Sequence, residues 1–421
     1  MSLSIICLIF IAIDTSSLIY NTFKIMIYIS AILIYFLSSR KIYIKKNIYF
    51  NIFYLLTLYF LNLMIDSDNY LSLYINIELF SVAMYFLMAI DKSKKSFSET
   101  IKYQLSSALA TSFLLIGSAI LYGLTNKIDF QHITDYINQN NNYSISTFIL
   151  PYVFIITGIL FKLGAFPFGR WLIDIYTNID TKIVAYISIV PKLAIFAVLM
   201  KIIGSMITFE SSLILIIFAL YTALFGIIYG FKINRLKSIM AASSYVNISY
   251  VLIGVAAYTH ISISAVIFYL ISYIFMNIGV FAGILCLEHS NLTNNSQNYQ
   301  GYFYKNPFFA LSILFCFISL VGLPISAGFV AKIYLVLSIL YSNNIFIPVI
   351  IAMFAIMIFS IVFYIRPIEN MFLKLPYSKN CEIKTRGVNK YILYICSSIT
   401  IIMGLFPQYL LEFCETISKY F

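Results

Sequence analysis

Long apolar runs recur along the whole of this chain and limit its fold more than any other feature. The 421 residues are 62% hydrophobic and only 10% charged, with a mean hydropathy of +0.93, values that a water-soluble domain of this length does not carry. Each run continues for roughly 18 to 25 residues, the length that a helix needs to cross a bilayer. A β-barrel would show short alternating segments instead. We therefore predict an all-α, polytopic membrane protein.

About thirteen transmembrane helices are predicted. They cover residues 3–19, 24–39, 48–65, 70–90, 102–124, 147–166, 182–204, 210–231, 237–257, 262–287, 307–340, 344–366 and 391–411. The start of the chain lacks a basic region and a small-residue cleavage site, so the first run is predicted to be a retained span. Polar stretches between spans are too short to build a core. We predict a single transmembrane domain over residues 1–421.

Basic residues alternate between the two sides of this predicted topology. Loops after even-numbered spans carry Lys41, Lys45, Lys46, Lys92, Lys94, Lys95, Arg170, Lys182, Lys232, Arg235, Lys237, Lys305, Lys374, Lys379, Lys384, Arg386 and Lys390. Loops after odd-numbered spans are neutral or mixed. The pattern places the amino terminus on the positive side and the carboxyl terminus opposite, so the net charge of +11 indicates membrane topology and not a nucleic-acid surface.

Four ionisable residues lie inside predicted spans: Glu78, Lys162, Lys192 and Lys332. A charge at mid-bilayer costs about 2.5 to 3.5 kcal/mol on insertion scales, so such residues usually mark an ion pathway. The structural alternatives are a salt bridge or a protonated acid at Glu78, and snorkelling of Lys162 and Lys332 to the interface. Lys192 is ten residues from Lys182 and nine from Lys201, too deep to snorkel easily. Together the four favour a proton or cation relay.

Two predicted spans contain helix-breaking residues beside their lysines. The sixth contains FKLGAFPF, with Lys162 before the proline, and the eleventh contains VGLPISAGFVAK, with Lys332 after it. Proline and glycine at membrane depth indicate discontinuous helices, and the opposite order of lysine and proline favours two inverted repeats. Two unrelated kinks are the alternative, because both residues are common in transmembrane helices.

Other polar residues are assigned lesser roles. Ser106, Ser107, Thr111 and Ser112 of the fifth span either promote close helix packing or hold water between relay residues. Lys102, Lys201 and Asp174 are predicted to be interfacial anchors, and His132 and His260 to lie in loops. The six cysteines form no CxxC pair and there are three histidines, so no metal, haem or iron–sulfur site is predicted.

Several segments together resemble one known family. They are GILFKLGAFPFGRWLIDIYTNIDTKIVAYISIVPKLAIFAVLMKI (Gly158–Ile202), SETIKYQLSSALATSFLLIGSAILYG (Ser98–Gly123), INRLKSIMAASSYVNISYVLIG (Ile233–Gly254) and LVGLPISAGFVAKIYLV (Leu320–Val336). The resemblance, from about Tyr74 to Leu340, is to the antiporter-like, proton-pumping subunits of respiratory complex I (NADH:ubiquinone oxidoreductase), chain 2 in particular. Lysine rather than glutamate at Lys332 favours chain 2 over chain 4, and the chain lacks the long lateral helix expected of chain 5.

The resemblance implies two inverted five-helix repeats, over about 48–204 and 210–366, followed by a matrix loop and carboxyl-terminal helix over 367–421. It implies that Glu78, Lys162, Lys192 and Lys332 form a proton relay. One amino-terminal helix is missing relative to the fourteen-helix bacterial form, which agrees with the alternation of basic loops. The family often has histidine where this chain has Gly169, and His-x-Gly where it has Asn247-Ile248-Ser249.

The resemblance also implies partners and a location. Cofactors are expected on partner subunits and none on this chain: NADH, FMN, iron–sulfur clusters and ubiquinone. Neighbours would be chain 4 and the chain 4L and chain 6 side of the membrane arm, with lipids such as cardiolipin and no nucleic acid. The AT-rich codon bias seen in abundant Ile, Phe, Tyr, Asn and Lys suggests an organelle genome. The expected location is the mitochondrial inner membrane, with the amino terminus in the matrix and the carboxyl terminus in the intermembrane space.

Two alternatives share these sequence features. One is an antiporter-like subunit of a multisubunit cation/proton exchanger, which would have the same helices and lysines. The other is a structural, non-pumping scaffold of complex I, which the missing histidines would allow.

Overall fold

The fold is a bundle of helices in the part of the chain that the computed structural model describes, residues 18–39, 48–91, 93–139, 146–206, 208–289, 299–341, 347–375 and 387–419. The helices in these ranges are α1 (Leu18–Phe36), α2 (Ile48–Asp66), α3 (Tyr70–Ala89), α4 (Lys94–Thr125), α5 (Phe130–Gln139), α6 (Ser146–Leu163), α7 (Arg170–Asn178), α8 (Thr181–Ser205), α9 (Phe209–Phe231), α10 (Leu236–Ala257), α11 (His260–His289), α12 (Tyr302–Lys305), α13 (Pro307–Val321), α14 (Ala327–Leu340), α15 (Ile347–Phe372), α16 (Gly387–Leu405) and α17 (Gln408–Ser418).

The predicted all-α membrane class is confirmed. Ten of these helices are long and apolar enough to cross a membrane, and α6, α13 and α14 are shorter apolar helices. The first predicted span, residues 3–19, falls almost wholly outside the described residues, as do Lys41, Lys45, Lys46, Lys92, Lys379, Lys384 and Arg386 of the predicted basic loops.

The predicted break in the eleventh span, 307–340, is confirmed, because α13 ends at Val321 and α14 begins at Ala327. Other predicted span boundaries were wrong. The twelfth does not end at residue 366. Helix α15 continues through Pro367 to Phe372, because Arg366 donates hydrogen bonds to the carbonyls of Phe231 and Ile233 at 2.7 Å and fastens this end of α15 to the end of α9.

Three residues expected in loops lie in helices. His132 is in the amphipathic helix α5, His260 opens α11, and Asp174 is in α7, the short helix after the first break. The Nδ1 atom of His260 lies 3.0 Å from the carbonyl oxygen of Ser418. Short amphipathic helices are easily missed in sequence because they carry no long apolar run.

The middle of the bundle is formed by α8, α10 and α11. Their spans are almost entirely buried, whereas α4, α15 and α16 expose apolar faces on the outside. Exposed leucine and isoleucine side chains such as Leu105, Leu109 and Ile351 suit a lipid or partner-subunit environment. A polar group on α8 or α10 therefore lies inside protein and not at the lipid boundary.

Both discontinuous helices end in the same backbone motif. At the end of α6, Gly164 has φ +79°, its N–H donates to Phe161, and the N–H of Ala165 donates to Leu160. At the end of α13, Gly322 has φ +85°, its N–H donates to Ser319, and the N–H of Leu323 donates to Ile318. These are Schellman caps, for which glycine is favoured because it adopts positive φ without strain. The two glycines thus fix where each helix breaks.

Gly328 sets the close return of α14 past the end of α13. A Cβ atom added there would lie 1.7 Å from the carbonyl oxygen of Ser319, a backbone atom that has little freedom to move. We expect Gly328→Ala to destabilise the protein by about 1–3 kcal/mol or more, as overpacking does in closely packed sites. Thermal unfolding of the purified protein would measure this.

Gly123 supplies a matched control, because a Cβ atom there would meet nothing within 4 Å. Gly123→Ala, inside α4, is expected to leave the unfolding temperature unchanged or to raise it, since alanine favours helix over glycine. Equal unfolding temperatures for the two variants would contradict the close approach at Gly328.

Candidate functional site: buried lysines beside the two broken helices

Three lysines predicted from the sequence are buried in the bundle interior. Lys162 on α6 is 6% exposed, Lys192 on α8 is 3% exposed and Lys332 on α14 is 2% exposed. Their ammonium groups contact buried hydroxyls and carbonyls. The snorkelling alternative for Lys162 and Lys332 is therefore wrong. Glu78 on α3 differs, because its side chain is only half-buried.

Lys162 is held by hydroxyl groups from two neighbouring helices. Its Nζ donates to Ser81 Oγ of α3 at 2.7 Å and to Ser107 Oγ of α4 at 2.5 Å. The salt-bridge alternative for Glu78 does not apply to Lys162, since in the described part of the chain no direct ion pair joins them. Glu78 acts on the Lys162 charge from a greater distance. Ser81, which binds Lys162, lies one helical turn after Glu78 on α3.

The structure separates the roles of the fifth-span hydroxyls. Ser107 is fully buried and contacts Lys162 directly. Ser106, Thr111 and Ser112 each donate to a carbonyl of their own helix. Serine and threonine hydroxyls commonly make such hydrogen bonds within a helix. Ser107 alone among these four thus belongs to the lysine site.

A cavity of ≈ 10 Å³ adjoins Lys162 and is lined by Tyr103, Trp171, Ile175 and Pro191, among others. This volume is about that needed for one water molecule. Pro191 in this lining belongs to α8 and is the residue before Lys192.

Lys192 is also bound by hydroxyl groups. Its Nζ donates to Ser244 Oγ of α10 and, at 3.3 Å, to the hydroxyl of Tyr273 on α11. Tyr273 in turn donates to the carbonyl of Ser188 at 3.1 Å. The Tyr176 side chain of α7 is also buried, close to Ser188 and Ser244.

Lys332 binds the open end of the other broken helix. Its Nζ donates to the carbonyls of Leu320 and Val321 at 3.0 and 2.7 Å and lies 4.9 Å from the ring centre of Tyr250. These carbonyls belong to the last turn of α13, where the helix dipole favours a cation. Lys332 therefore caps α13 as well as placing a titratable group at the break.

A hydrogen-bonded network occupies the space between the Lys192 and Lys332 regions. Tyr364 donates to Ser243 Oγ at 2.5 Å, the Asn247 amide donates to the same oxygen at 3.1 Å, and Tyr269 donates to Asn247 Oδ1 at 2.8 Å. Ser243 is next to Ser244, the Lys192 partner. The Tyr269 ring stacks on Tyr250, which faces Lys332. The interior between these lysines is therefore polar.

Asn247 stands where the resembling family often has histidine. An amide is not titratable, but it donates and accepts hydrogen bonds at once, and here it does both within the network. A proton crossing this part of the bundle would have to use hydroxyl groups or water and not the side chain at Asn247.

Gly169, at the other position where the family often has histidine, has no room for a side chain. A Cβ atom there would lie 2.2 Å from the carbonyl oxygen of Gly164 and 2.5 Å from the Tyr245 ring. The Tyr245 hydroxyl donates to the Gly169 carbonyl. Tyrosine from α10 thus fills the space beside the first break.

We expect Gly169→His to destabilise the protein, although it restores the residue common in the family. The backbone at Gly164 must shift to admit any Cβ atom, which costs about 1–3 kcal/mol. Gly169→His combined with Tyr245→Ala should recover only the part of the loss that is due to the tyrosine ring. Thermal unfolding of the two variants measures this, and an unfolding temperature unchanged in Gly169→His would refute the close packing.

Two buried lysines were missed in the sequence. Lys24 on α1 is 2% exposed and its Nζ lies 2.6 Å from Asp66 Oδ1 at the end of α2. Lys182 donates to the carbonyl of Tyr35 at 2.7 Å. Both lay at predicted span ends, where lysines usually snorkel. Helix α1 begins at Leu18, earlier than predicted, so Lys24 lies more than one turn inside the helix and not at its start.

Lys201, predicted to be an anchor, binds the end of a neighbouring helix. Its Nζ donates to the carbonyls of Ile65 and Ser67 at 2.6 and 3.1 Å and lies 4.4 Å from the ring centre of Tyr20. It shares α8 with Lys192 but stands apart from the hydroxyl network described above.

Comparison with known proteins agrees with this architecture. Residues 67–360 match the profile of the NADH:quinone oxidoreductase/Mrp antiporter transmembrane family. The chain is 29% identical over 388 residues to NADH-quinone oxidoreductase subunit N of Thioalkalivibrio sulfidiphilus, covering 90% of this chain and 80% of the relative.

Solved structures share the fold. A chain of respiratory complex I from Thermus thermophilus aligns with a TM-score of 0.79 at 20% identity, covering 93% of this chain and 85% of that one. A chain of the Mrp complex from Dietzia sp. aligns with a TM-score of 0.80 at 19% identity, covering 94% and 83%. The matched residues include Glu78, Lys162, Lys192 and Lys332. The chain belongs to the NADH:quinone oxidoreductase/Mrp antiporter transmembrane family, and within it to the subunit N, or chain 2, group.

Proposed function

We propose that this chain is the chain 2-type core membrane subunit of a respiratory complex I and that it translocates protons. The single observation that carries the proposal is the set of three buried lysines whose partners are hydroxyls and helix-end carbonyls, with polar side chains between two of them. Three interior lysines without direct carboxylate partners among the described residues are costly to keep for structure alone. They are suited to gaining and losing protons.

In the proposed relay, a proton passes among Lys162, Lys192 and Lys332. Ser107 and Ser81 orient the first amine, Ser244 and Tyr273 the second, and the α13 carbonyls the third. Glu78 tunes Lys162 through its charge, from the same helix that supplies Ser81. A Glu whose distance to the lysine changes would alter how tightly that lysine holds its proton.

The driving energy must come from other subunits. Moving one charge against 100 mV costs about 2.3 kcal/mol, and the relatives are named as subunits of NADH-quinone oxidoreductase, whose redox reaction would supply that energy. We assign NADH, FMN, iron–sulfur clusters and ubiquinone to partner subunits.

The proposed setting is the membrane arm of the complex in the mitochondrial inner membrane, with the amino terminus in the matrix and the carboxyl terminus in the intermembrane space. Chain 4 and the chain 4L and chain 6 side are the proposed neighbours. The repeats are proposed to cover about 48–204 and 210–366. Their matching Schellman caps at Gly164 and Gly322 support this division.

The decisive test is the identity and activity of the assembly. Native-gel mass spectrometry should find this chain with flavin and iron–sulfur subunits, and NADH oxidation should drive proton uptake into membrane vesicles without sodium. The likeness to a chain of the Mrp complex favours a second candidate, a subunit of a cation/proton exchanger. An assembly lacking redox subunits, with sodium-dependent proton exchange, would establish that candidate instead.

A further inference from the structure

We propose that Glu99 loads protons from a cleft at the surface and delivers them to Lys162. This inference rests on the proposed proton relay and adds the group through which the relay is filled. Glu99 lies in the second turn of α4 and is only 8% exposed. Its Oε2 atom is buried without a hydrogen-bond partner among the described residues. A buried carboxylate oxygen without a partner is costly, so this oxygen is an open acceptor for a proton or a water molecule.

The other carboxylate oxygen of Glu99 faces the exterior through Lys102. Lys102 Nζ lies 3.0 Å from Glu99 Oε1 and is itself well exposed. Lys102 also lines a cleft of ≈ 700 Å³ together with Ser106, Arg170 and Asp174. Asp174 is close enough to interact electrostatically with Glu99, Lys102 and Arg170. The charged end of the cleft can hold water next to Glu99 and so supply the proton.

The inner face of α4 leads from Glu99 to Lys162. Glu99, Tyr103 and Ser107 follow one another at intervals of four residues, so they lie on one side of the helix. All three are buried. The distance along the axis from Glu99 to Ser107 is about 12 Å at 1.5 Å per residue. Tyr103 lies midway and lines the small cavity beside Lys162. Ser107 Oγ is 2.5 Å from Lys162 Nζ.

The proposed transfer is balanced at each step. A hydronium ion in the cleft gives a proton to the Glu99 carboxylate, forming the neutral acid and leaving a water molecule. The acid gives its proton towards Tyr103, and each hydroxyl or water on the path accepts one proton and releases one. Ser107 passes the last proton to the Lys162 amine, which must be neutral after releasing its own proton towards Lys192. Glu99 then returns to the carboxylate.

The test compares protons translocated per electron in the whole assembled complex, reconstituted in vesicles. Glu99→Gln is expected to lower this ratio to the value found for Lys162→Met. The double variant is expected to go no lower, because two steps in series are not additive. Glu99→Asp, which keeps a carboxylate, should restore part of the loss. Electron transfer from NADH to quinone is measured in each variant, so that the ratio is taken per electron actually transferred.

Glu369 supplies the matched control, because it is also paired with a lysine, Lys374, at 3.3 Å, but is 43% exposed. Glu369→Gln should leave the proton ratio at the wild-type value. If Glu99→Gln does not assemble, Glu99→Met replaces it. Failure of both neutral variants to assemble, with Glu99→Asp intact, would show a structural role and overturn the proposal.

The remaining outcomes separate this inference from the proposed function. A wild-type ratio for Glu99→Gln, with a reduced ratio for Lys162→Met, would overturn only the loading role of Glu99. A wild-type ratio for Lys162→Met would overturn the relay itself. A double variant lower than either single variant would place Glu99 on a different route from Lys162 and would also overturn the inference.

Discussion

Replacing Lys192 by methionine is expected to abolish proton translocation through this chain while leaving the protein folded. Positioned proton-transfer groups typically contribute about 10²- to 10⁴-fold to a rate, so the flux through this chain should fall by at least about 10²-fold. Methionine has a similar volume and needs no hydrogen bond, and it removes the cost of holding a charge away from water. The loss should therefore appear in protons translocated per electron and not in assembly.

Lys201→Met is the matched control, because Lys201 lies on the same helix nine residues further along. Its ammonium group binds the carbonyls at the end of α2 and stands apart from the hydroxyl network around Lys192. We expect Lys201→Met to lower the unfolding temperature and to leave the proton ratio unchanged. If Lys192→Met lowers only the proton ratio and Lys201→Met lowers only the unfolding temperature, Lys192 transfers protons and Lys201 anchors the helix.

A wild-type proton ratio in an assembled Lys192→Met complex would support the structural scaffold instead. In that case the hydroxyls of Ser244 and Tyr273 would serve only to satisfy a buried charge. Measuring the ratio together with the unfolding temperature distinguishes this from a variant that has merely lost part of its structure.

The sequence predicted the helical class and the positions of the interior lysines. Both can be read from the order of residues alone, because they depend on the length of an apolar run and on a single charge within it. Lys162, Lys192 and Lys332 were found in this way, and each is buried. Their partners were not predictable. Ser81, Ser244 and Tyr273 come from other helices, and serine and tyrosine are too common in transmembrane helices to be singled out.

Glu99 shows a second limit of sequence analysis. It lies near the start of α4, where an acidic residue is ordinarily expected to reach water, and its burial arises from packing against other helices. Gly169 shows a third. In the sequence, Gly169 stands where the related family often has histidine. In the structure, Tyr245 and the Gly164 carbonyl lie too close to Gly169 to leave room for any side chain. Tertiary contacts decided both cases.

The most discriminating change at the other broken helix is Lys332→Arg. Arginine keeps the positive charge and the donors that cap the Leu320 and Val321 carbonyls, but its guanidinium does not release a proton in proteins. We expect proton translocation through this chain to fall by at least about 10²-fold. The larger side chain should cost at most about 1–3 kcal/mol of stability.

Lys332→Met should differ from Lys332→Arg in a second measurement. Methionine removes the donors as well as the proton, and leaving buried carbonyls unsatisfied costs about 1–3 kcal/mol, while the break after Gly322 loses its cation at the negative end of α13. The unfolding temperature of Lys332→Met should fall further than that of Lys332→Arg. The proton ratio should be equally low in both variants. A near-normal ratio in Lys332→Arg would show that Lys332 acts only as a fixed charge at the helix end, because arginine preserves the charge and blocks only the transfer.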